Sequence, residues 1–175
     1  MASQRIVFLD LEETCIDTWH EARLLPNNLR KIRSILRPDD VLGLMSWAVH
    51  NSQDLEEFNN VMRQPIESRI GHAFDSSLVL DMHGFHRLLV AHTGKRLERS
   101  DMFDLFDKQQ ILMLLARSRL WSNTEIVLID DTVDPDMHLA IPRNGNSVLM
   151  LNIHTSVFDS VQTQTFLNTT SCATS

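Results

Sequence analysis

The sequence predicts an α/β fold, a Rossmann-like three-layer sandwich built around a mainly parallel sheet of five strands. Short apolar runs, typical of strands buried on both faces, alternate with segments of helical periodicity. This alternation predicts parallel strands joined by right-handed helical crossovers. Two of the apolar runs, at residues 6–9 and 124–129, lead directly into carboxylates, at the edge where open α/β sheets bind their ligands.

The individual elements are predicted from apolar periodicity and from the turn residues that bound them. The first helix turns Leu29, Ile32 and Ile35 to one face and lies between Pro26 and Pro38. Gly94 is expected to end the third helix. Strands are expected at residues 6–9, 41–45, 77–82, 124–129 and 147–153, and helices at residues 27–36, 52–62, 85–92 and 101–120.

Length and composition predict one α/β domain over residues 1–154. The chain has 175 residues and 43% hydrophobic content, which is enough to bury a single core. The interval between Asp10 and Ser46 has room for one helix and little more, which excludes a large cap domain, and the interval 46–108 has room for a small lid. We therefore expect an open site. Residues 155–175 are expected to form a short helix, at about residues 157–166, and a disordered Ser/Thr-rich end.

Charge and cysteine content narrow the range of partners and compartments. The formal net charge is −7 and no basic block is present, which argues against general nucleic-acid binding. Cys15 and Cys172 are too few for a disulfide framework, so a reducing compartment is expected. No secretory signal or transmembrane run is visible. We therefore expect a cytoplasmic protein without a membrane partner, and a homo-oligomer is compatible with the sequence.

Acidic residues follow two separate predicted strands. Asp10 and Glu12 come after the first strand, and Asp130 and Asp131 come after the fourth. If these strands are neighbours in the sheet, their carboxylates converge and repel one another. A divalent cation relieves such repulsion, and a ligand set made only of oxygen atoms favours Mg²⁺. The alternative is that each acidic group caps the helix that follows its strand.

Four short motifs occur in a fixed order along the chain. DLEET stands at residues 10–14, Ser46 follows an apolar run, a lysine comes next, and an acidic pair follows a further apolar run at residues 129–131. This order resembles the haloacid dehalogenase superfamily, whose motifs are Asp-x-Asp-x-Thr/Val, a Ser or Thr, a Lys and an acidic pair. The resemblance implies a Rossmann-like fold and a Mg²⁺-dependent phosphatase that forms an aspartyl-phosphate. Its substrate would be a phosphorylated compound, a nucleotide or macromolecule among the candidates.

The resemblance also assigns roles to residues of this chain. Asp10 is the expected nucleophile, and carboxylates are established nucleophiles in covalent catalysis. The second oxygen of Asp10 is expected to bind Mg²⁺ together with the backbone carbonyl of Glu12 and with Asp131 or Asp130. Ser46 is expected to donate a hydrogen bond to a phosphoryl oxygen.

Two lysines are candidates for the third motif. Lys108 leads into the helix before the fourth strand, as the family lysine usually does, whereas Lys95 follows Gly94 in a loop. We therefore prefer Lys108. For either lysine the alternative is an ordinary solvated surface residue.

Further residues are expected near the substrate. Trp47, His50 and Asn51 follow Ser46 closely and are expected to line the opening of the site, although Trp47 also fits a core position and His50 a helix cap. The substrate-binding candidates are Thr14, Trp47, His50 and Asn51.

Glu12 is the point at which the chain departs from the family pattern. Phosphatases of the superfamily have Asp at this position as the general acid and base, and Glu is one methylene longer. A proton donor must lie within about 2.6–3.2 Å of the leaving oxygen, so the longer side chain changes what the site can do. Three interpretations remain open, namely a working phosphatase, an enzyme with altered chemistry, and an impaired site kept for interaction with a partner.

A DEDD-type 3′–5′ exonuclease is the alternative from another class of chemistry. FLDLEETC at residues 8–15 is similar to the first motif of that family, in which Asp-x-Glu supplies two ligands of a two-metal site. This interpretation explains Glu12 without a departure. It leaves the acidic pair Asp130 and Asp131 unexplained, and the spacing from His50 to Asp54 is one residue shorter than the second exonuclease motif requires.

Overall fold

The structure of the protein is a computed structural model that describes residues 3–96, 105–133 and 137–155. The expected helix at residues 157–166 and the expected disordered end lie outside the described residues. Among the described residues, no helix has both the length and the apolar character needed to cross a bilayer.

The described residues form an open α/β sheet of six strands in the order β3-β2-β1-β4-β6-β5. All neighbouring pairs are parallel except β5 and β6, which pair in antiparallel fashion. The strands are β1 (Gln4–Leu9), β2 (Val41–Leu44), β3 (Phe74–Val79), β4 (Thr124–Asp130), β5 (Met137–Ile141) and β6 (Asn146–Asn152).

The predicted α/β class and mainly parallel sheet are confirmed, but the predicted count of five strands is wrong. The missed strand is β5, which pairs only with β6, at the edge of the sheet. Its sequence MHLAI is short and lacks a continuous β-branched or aromatic run, so it carries little strand signal. The third strand also begins earlier than predicted, at Phe74 rather than Ser77, and Met82 belongs to the following helix.

The helices are α1 (Pro26–Ile35), α2 (Ser52–Glu57), α3 (Arg63–Ile70), α4 (Met82–Thr93) and α5 (Leu105–Arg117). A π-helical segment, Phe58–Met62, joins α2 to α3, so the predicted helix 52–62 continues further than expected. Pro65 explains the local geometry, because its ring crowds the carbonyl four residues earlier and it has no amide hydrogen to donate. The helix widens before Pro65 and ends at Gly71, which has a left-handed backbone conformation.

Alternate residues of β1 pack against opposite faces of the sheet. Val7 and Leu9 belong to one buried cluster, which includes side chains of α1 and α3. Ile6 and Phe8 belong to the other, which includes side chains of α4 and α5. Helices therefore cover both faces of a central strand, and this accounts for the continuous apolar run in β1.

A charged cluster lies at the amino-terminal edge of the sheet, where β1 and β4 begin. Arg5 forms a bidentate ion pair with Asp40, through N–O distances of 2.8 and 2.6 Å. Glu125 pairs with Arg5 in the strand register and is only 4% exposed, yet neither of its carboxylate oxygens has a hydrogen-bond partner among the described residues. Burial raises the pKa of Glu125, and attraction to Arg5 and Arg37 only partly offsets this effect.

The connectivity of the sheet determines where a ligand can bind. The chain runs from β1 outward through β2 to β3, and then returns to place β4 on the other side of β1. Such a reversal opens a crevice at the carboxyl ends of the two strands, which is the usual ligand position in open α/β sheets. In the register, Leu9 pairs with Ile129, so Asp10 and Asp130 emerge side by side.

Candidate functional site

The carboxylates that follow β1 and β4 converge on one lysine from α5. Lys108 Nζ lies 2.9 Å from Asp10 Oδ1 and 2.6 Å from Asp130 Oδ2. All three residues are buried, with 5% of Asp10 and 6% of Lys108 exposed. The amide of Asp10 donates to the carbonyl of Ile129 at 3.0 Å, which fixes the start of the loop after β1 against β4. The buried ammonium therefore neutralises part of the charge that the two strand ends bring together.

Asp131 adds a third carboxylate to this cluster. One oxygen each from Asp10, Asp130 and Asp131 lie within 4.8 Å of one another. Lys108 offsets one of the three negative charges, so the ionised cluster retains a net charge of about −2. Three oxygen donors with that residual charge could hold a metal ion.

The protonation behaviour of the cluster follows from burial and mutual repulsion. Burial raises the pKa of Asp10, and attraction to Lys108 opposes the shift without cancelling it. Burial also acts to raise the pKa of Asp130, but Lys108 and the hydrogen bonds from Thr132 outweigh it and lower that pKa. Burial together with the charges of Asp10 and Asp130 raises the pKa of Asp131 to about 7. Repulsion in the cluster is therefore only partly relieved by Lys108.

Hydroxyl groups surround the two strand-end carboxylates. Thr132 donates to Asp130 Oδ1 through its hydroxyl at 2.6 Å and through its amide at 2.9 Å. Thr14 Oγ1 lies 3.5 Å from Asp10 Oδ2 and is completely buried. Ser46 follows β2, and its hydroxyl acts to lower the pKa of Asp10 against the larger effect of burial. The carboxylate of Asp10 is thus held by groups from three different elements of the chain.

A pocket of about 480 Å³ opens above the cluster. Trp47 forms part of its wall, and Lys108 Nζ stands 5.8 Å from the centre of the Trp47 ring, within the range of a cation–π contact. The lining residues are Asp10, Glu12, Glu13, Ser46, Trp47, Ala48, His50, Lys108, Asp130, Asp131 and Thr132.

The structure separates the predicted substrate-binding residues into two groups. Trp47 and His50 line the pocket, whereas the buried Thr14 contacts Asp10 from outside the lining. Asn51 caps α2, because its side chain accepts hydrogen bonds from the amides of Gln53 and Asp54. Asn51 therefore serves helix α2 and is not part of the pocket wall.

The structure brings Lys108, rather than Lys95, to the carboxylates. Lys95 is exposed and follows Gly94, which ends α4 in a left-handed conformation. Thr132 is a site residue that the sequence reasoning missed. Its position directly after the acidic pair was the available signal, since a hydroxyl two residues beyond Asp130 can bond back to that carboxylate.

Glu12 takes a different direction from the other acidic residues. Its Oε1 accepts a hydrogen bond from the amide of Trp19 at 2.6 Å, and its carboxylate is not among the three that form the cation-sized cluster. Glu12 still forms part of the pocket wall.

The fold and the site together define the class of this protein, an α/β protein with a carboxylate–lysine pocket at the carboxyl edge of a mostly parallel sheet. Comparisons with protein-family models, with curated proteins and with solved structures gave no match to this chain. Inferences about its function therefore depend on the geometry of the pocket.

Proposed function

We propose that the protein is a Mg²⁺-dependent phosphatase that acts through an aspartyl-phosphate on Asp10. One observation carries the proposal: a buried carboxylate at the end of the central strand faces an open pocket while an ammonium and two further carboxylates surround it. This combination suits phosphoryl transfer, which needs a positioned nucleophile and balanced charge more than it needs elaborate covalent chemistry.

Asp10 supplies the nucleophilic oxygen in this proposal. Its Oδ1 accepts a short bond from Lys108, whereas the contact of its Oδ2 with Thr14 is long, at 3.5 Å. Oδ2 therefore keeps more of its electron density available for attack on phosphorus. The Asp10–phosphorus bond forms while the bond from phosphorus to the leaving oxygen breaks, and the leaving oxygen takes its proton from water in the open pocket. Water then hydrolyses the acyl phosphate, releasing inorganic phosphate and the Asp10 carboxylate.

Lys108 and Ser46 support this step through charge and hydrogen bonding. The buried ammonium of Lys108 limits repulsion between Asp10 and an incoming phosphoryl dianion. Ser46 stands in the pocket wall beside Asp10, where its hydroxyl can donate to a phosphoryl oxygen. Lys108 lies within α5 and is buried, and Ser46 is buried just beyond the end of β2, so packing restricts both groups before a substrate binds.

Asp10, Asp130 and Asp131 are the residues that would hold Mg²⁺. Burial, together with repulsion from Asp10 and Asp130, raises the pKa of Asp131 to about 7, and a divalent cation would relieve the part that comes from repulsion. When bound, the cation would neutralise phosphoryl charge and orient the phosphate for in-line attack.

The exonuclease alternative requires Glu12 as a metal ligand. The Glu12 carboxylate instead accepts a bond from the Trp19 amide and lies outside the three-carboxylate cluster. This contact favours the phosphatase proposal over the exonuclease.

The experiment is a phosphate-release assay with Mg²⁺ and a panel of phosphomonoesters and nucleotides, run beside a single-stranded oligonucleotide with a 3′-hydroxyl. We expect phosphate release that Asp10→Asn abolishes and that the control Asp39→Asn, at an exposed position, leaves unchanged. Reduction of the quenched enzyme with borohydride should mark Asp10 as the phosphorylated residue in a mass spectrum. Stepwise shortening of the oligonucleotide would establish the exonuclease instead, and inactivity on both substrate types with Mg²⁺ bound would favour an interaction protein.

A further inference from the structure

The loop between β1 and α1 is closed by a set of hydrogen bonds that meet near Glu12. The amides of Thr14, Cys15 and Ile16 all donate to the carbonyl of Leu11, at 3.1, 2.7 and 3.0 Å. The amide of Leu25 donates to the carbonyl of Cys15 at 2.9 Å, so the far end of the loop returns to its beginning. Residues 11–16 thus form a compact turn directly beside Asp10.

The middle of the loop forms a second turn that contains Trp19. Asp17 Oδ1 accepts from the amides of Thr18 and Arg23, at 2.7 and 2.9 Å. The amide of Ala22 donates to the carbonyl of Thr18 at 2.8 Å, and the Trp19 side chain packs against the core. This turn therefore has fixed geometry, and the Trp19 amide points from it to Glu12.

The backbone beside Glu12 is strained. Glu13 has φ of 56°, in the left-handed region that residues with a side chain rarely adopt. A residue in that region persists only when its surroundings hold it there. The amide of Glu13 donates to the carbonyl of Asp17 at 3.2 Å, and the carboxylate of Glu12 supplies a shorter contact to Trp19 at 2.6 Å.

We propose that Glu12 is a positioning residue, which fixes the pocket wall beside Asp10 by tying the loop at Trp19, and that it does not transfer a proton to the leaving group. The catalytic part of this inference rests on the proposed phosphatase function. The bond to Trp19 is a charge-assisted one, which is the strong class of hydrogen bond. It is positioned to hold residues 12 and 13, both of which line the pocket, in the strained conformation.

The length of the side chain is the reason that this position carries Glu. Removing one methylene withdraws the carboxylate by roughly one C–C bond, about 1.5 Å. The contact with the Trp19 amide would then open to about 4 Å, beyond hydrogen-bond range. Gln has the length of Glu and keeps an oxygen acceptor, but its amide cannot act as a proton donor of carboxylic acid strength.

Two substitutions of Glu12 therefore separate positioning from proton transfer. Glu12→Gln should keep the Trp19 amide protected from hydrogen exchange and should keep kcat within about threefold of wild type. Glu12→Asp should reduce that protection by at least about tenfold, because a hydrogen bond to a charged group is lost. Its kcat should fall by a similar factor for alkyl and aryl phosphates alike, since a displaced wall affects every substrate.

A general acid would give the opposite pattern. If Glu12→Gln lowers kcat by about a hundredfold or more on alkyl phosphates, and much less on aryl phosphates with weakly basic leaving groups, proton transfer is established and the proposal is wrong. The exchange measurement does not need turnover. Failure of the phosphatase function would therefore appear as an inactive wild type, while failure of the tether would appear as equal Trp19 protection in the wild type and in Glu12→Asp.

A second variant protects the test against simple misfolding of Glu12→Asp. Glycine adopts positive φ without steric cost, so Glu13→Gly relieves the strain that the tether opposes. Adding Glu13→Gly to Glu12→Asp should recover part of the lost kcat, because the pocket wall can then adopt its conformation without the tether, while the Trp19 amide stays unprotected because its acceptor remains out of range. No recovery in a folded double variant would overturn the link between the tether and the strained backbone.

Discussion

Replacing Lys108 by Met removes the ammonium that separates two buried carboxylates and keeps much of the side-chain volume. At an effective dielectric constant of 20, two opposite charges about 4 Å apart attract by about 4 kcal/mol, and Lys108 Nζ lies closer than that to both carboxylates. Protonation of Asp10, whose pKa is already raised, limits the loss. We therefore expect Lys108→Met to lower the free energy of unfolding by about 3–5 kcal/mol at pH 7, the usual cost of leaving a buried charge unpaired.

The assay is urea denaturation followed by far-UV circular dichroism, with Lys95→Met as the matched control. Lys95 is exposed, so its substitution should change stability by less than about 0.5 kcal/mol. Folding lowers the pKa of Asp130, so the ion pair between Lys108 and Asp130 stabilises the protein above the ordinary carboxyl pKa. This stabilisation is lost as the pH falls through the lowered pKa of Asp130. The difference between wild type and Lys108→Met should therefore shrink on acidification from pH 7. Equal stability of the two lysine variants at pH 7 would refute the reasoning.

Three further predictions concern the cation, the buried glutamate and the core. Saturating Mg²⁺ should raise the melting temperature of the wild type, by the equivalent of about 2.7 kcal/mol at a hundred times its Kd, and should leave Asp131→Asn unchanged in the same thermal scan. Folding raises the pKa of Glu125, so the contribution of this group to wild-type stability is lost as the pH rises through that pKa. Glu125→Gln should therefore be about 1–3 kcal/mol more stable than the wild type at pH 7, with a smaller gain near pH 4. A less stable Glu125→Gln at pH 7 would show that attraction to Arg5 prevails. Gly43→Ala should cost about 1–3 kcal/mol in urea denaturation, because the added Cβ would lie 2.6 Å from the Phe8 ring; a neutral result would mean that the ring moves aside freely.

The parts of the fold that the sequence predicted are those with strong local signals. The continuous apolar runs of β1 and β4 identify strands buried on both faces, and the acidic residues after them place the pocket at one edge of the sheet. The edge strand β5 escaped prediction because pairing with β6, rather than its own composition, makes MHLAI a strand. The helix continued past Pro65 because a π-helical segment before it accommodates a residue that has no amide hydrogen to donate. No local sequence pattern predicts such a segment.

In the candidate site, the residues were predictable from the sequence, but several of their contacts were not. The acidic residues after two buried strands selected Asp10 and the acidic pair, and the resemblance to the haloacid dehalogenase motifs added Ser46 and Lys108. The fold brings all of these residues to one pocket. The bond from Glu12 to Trp19 and the cap made by Asn51 were not predictable, because both depend on where the backbone turns after β1 and β2. Side-chain hydrogen bonds to nearby backbone groups compete with any role that the residue type alone suggests.

The pairing of β1 with β4 has a consequence for how the protein folds. Lys108 and Asp10 are 98 residues apart in sequence, and β4 follows Lys108. The central strand β1 can therefore pair with β4 only after most of the chain has been synthesised. Closing so long a loop is entropically costly and slows folding. During synthesis, Asp10 emerges early and its lysine and aspartate partners emerge late. The site therefore depends on contacts between distant parts of the sequence, so a chain truncated before α5 has the predicted nucleophile without Lys108 and Asp130, which lie beside it in the folded protein.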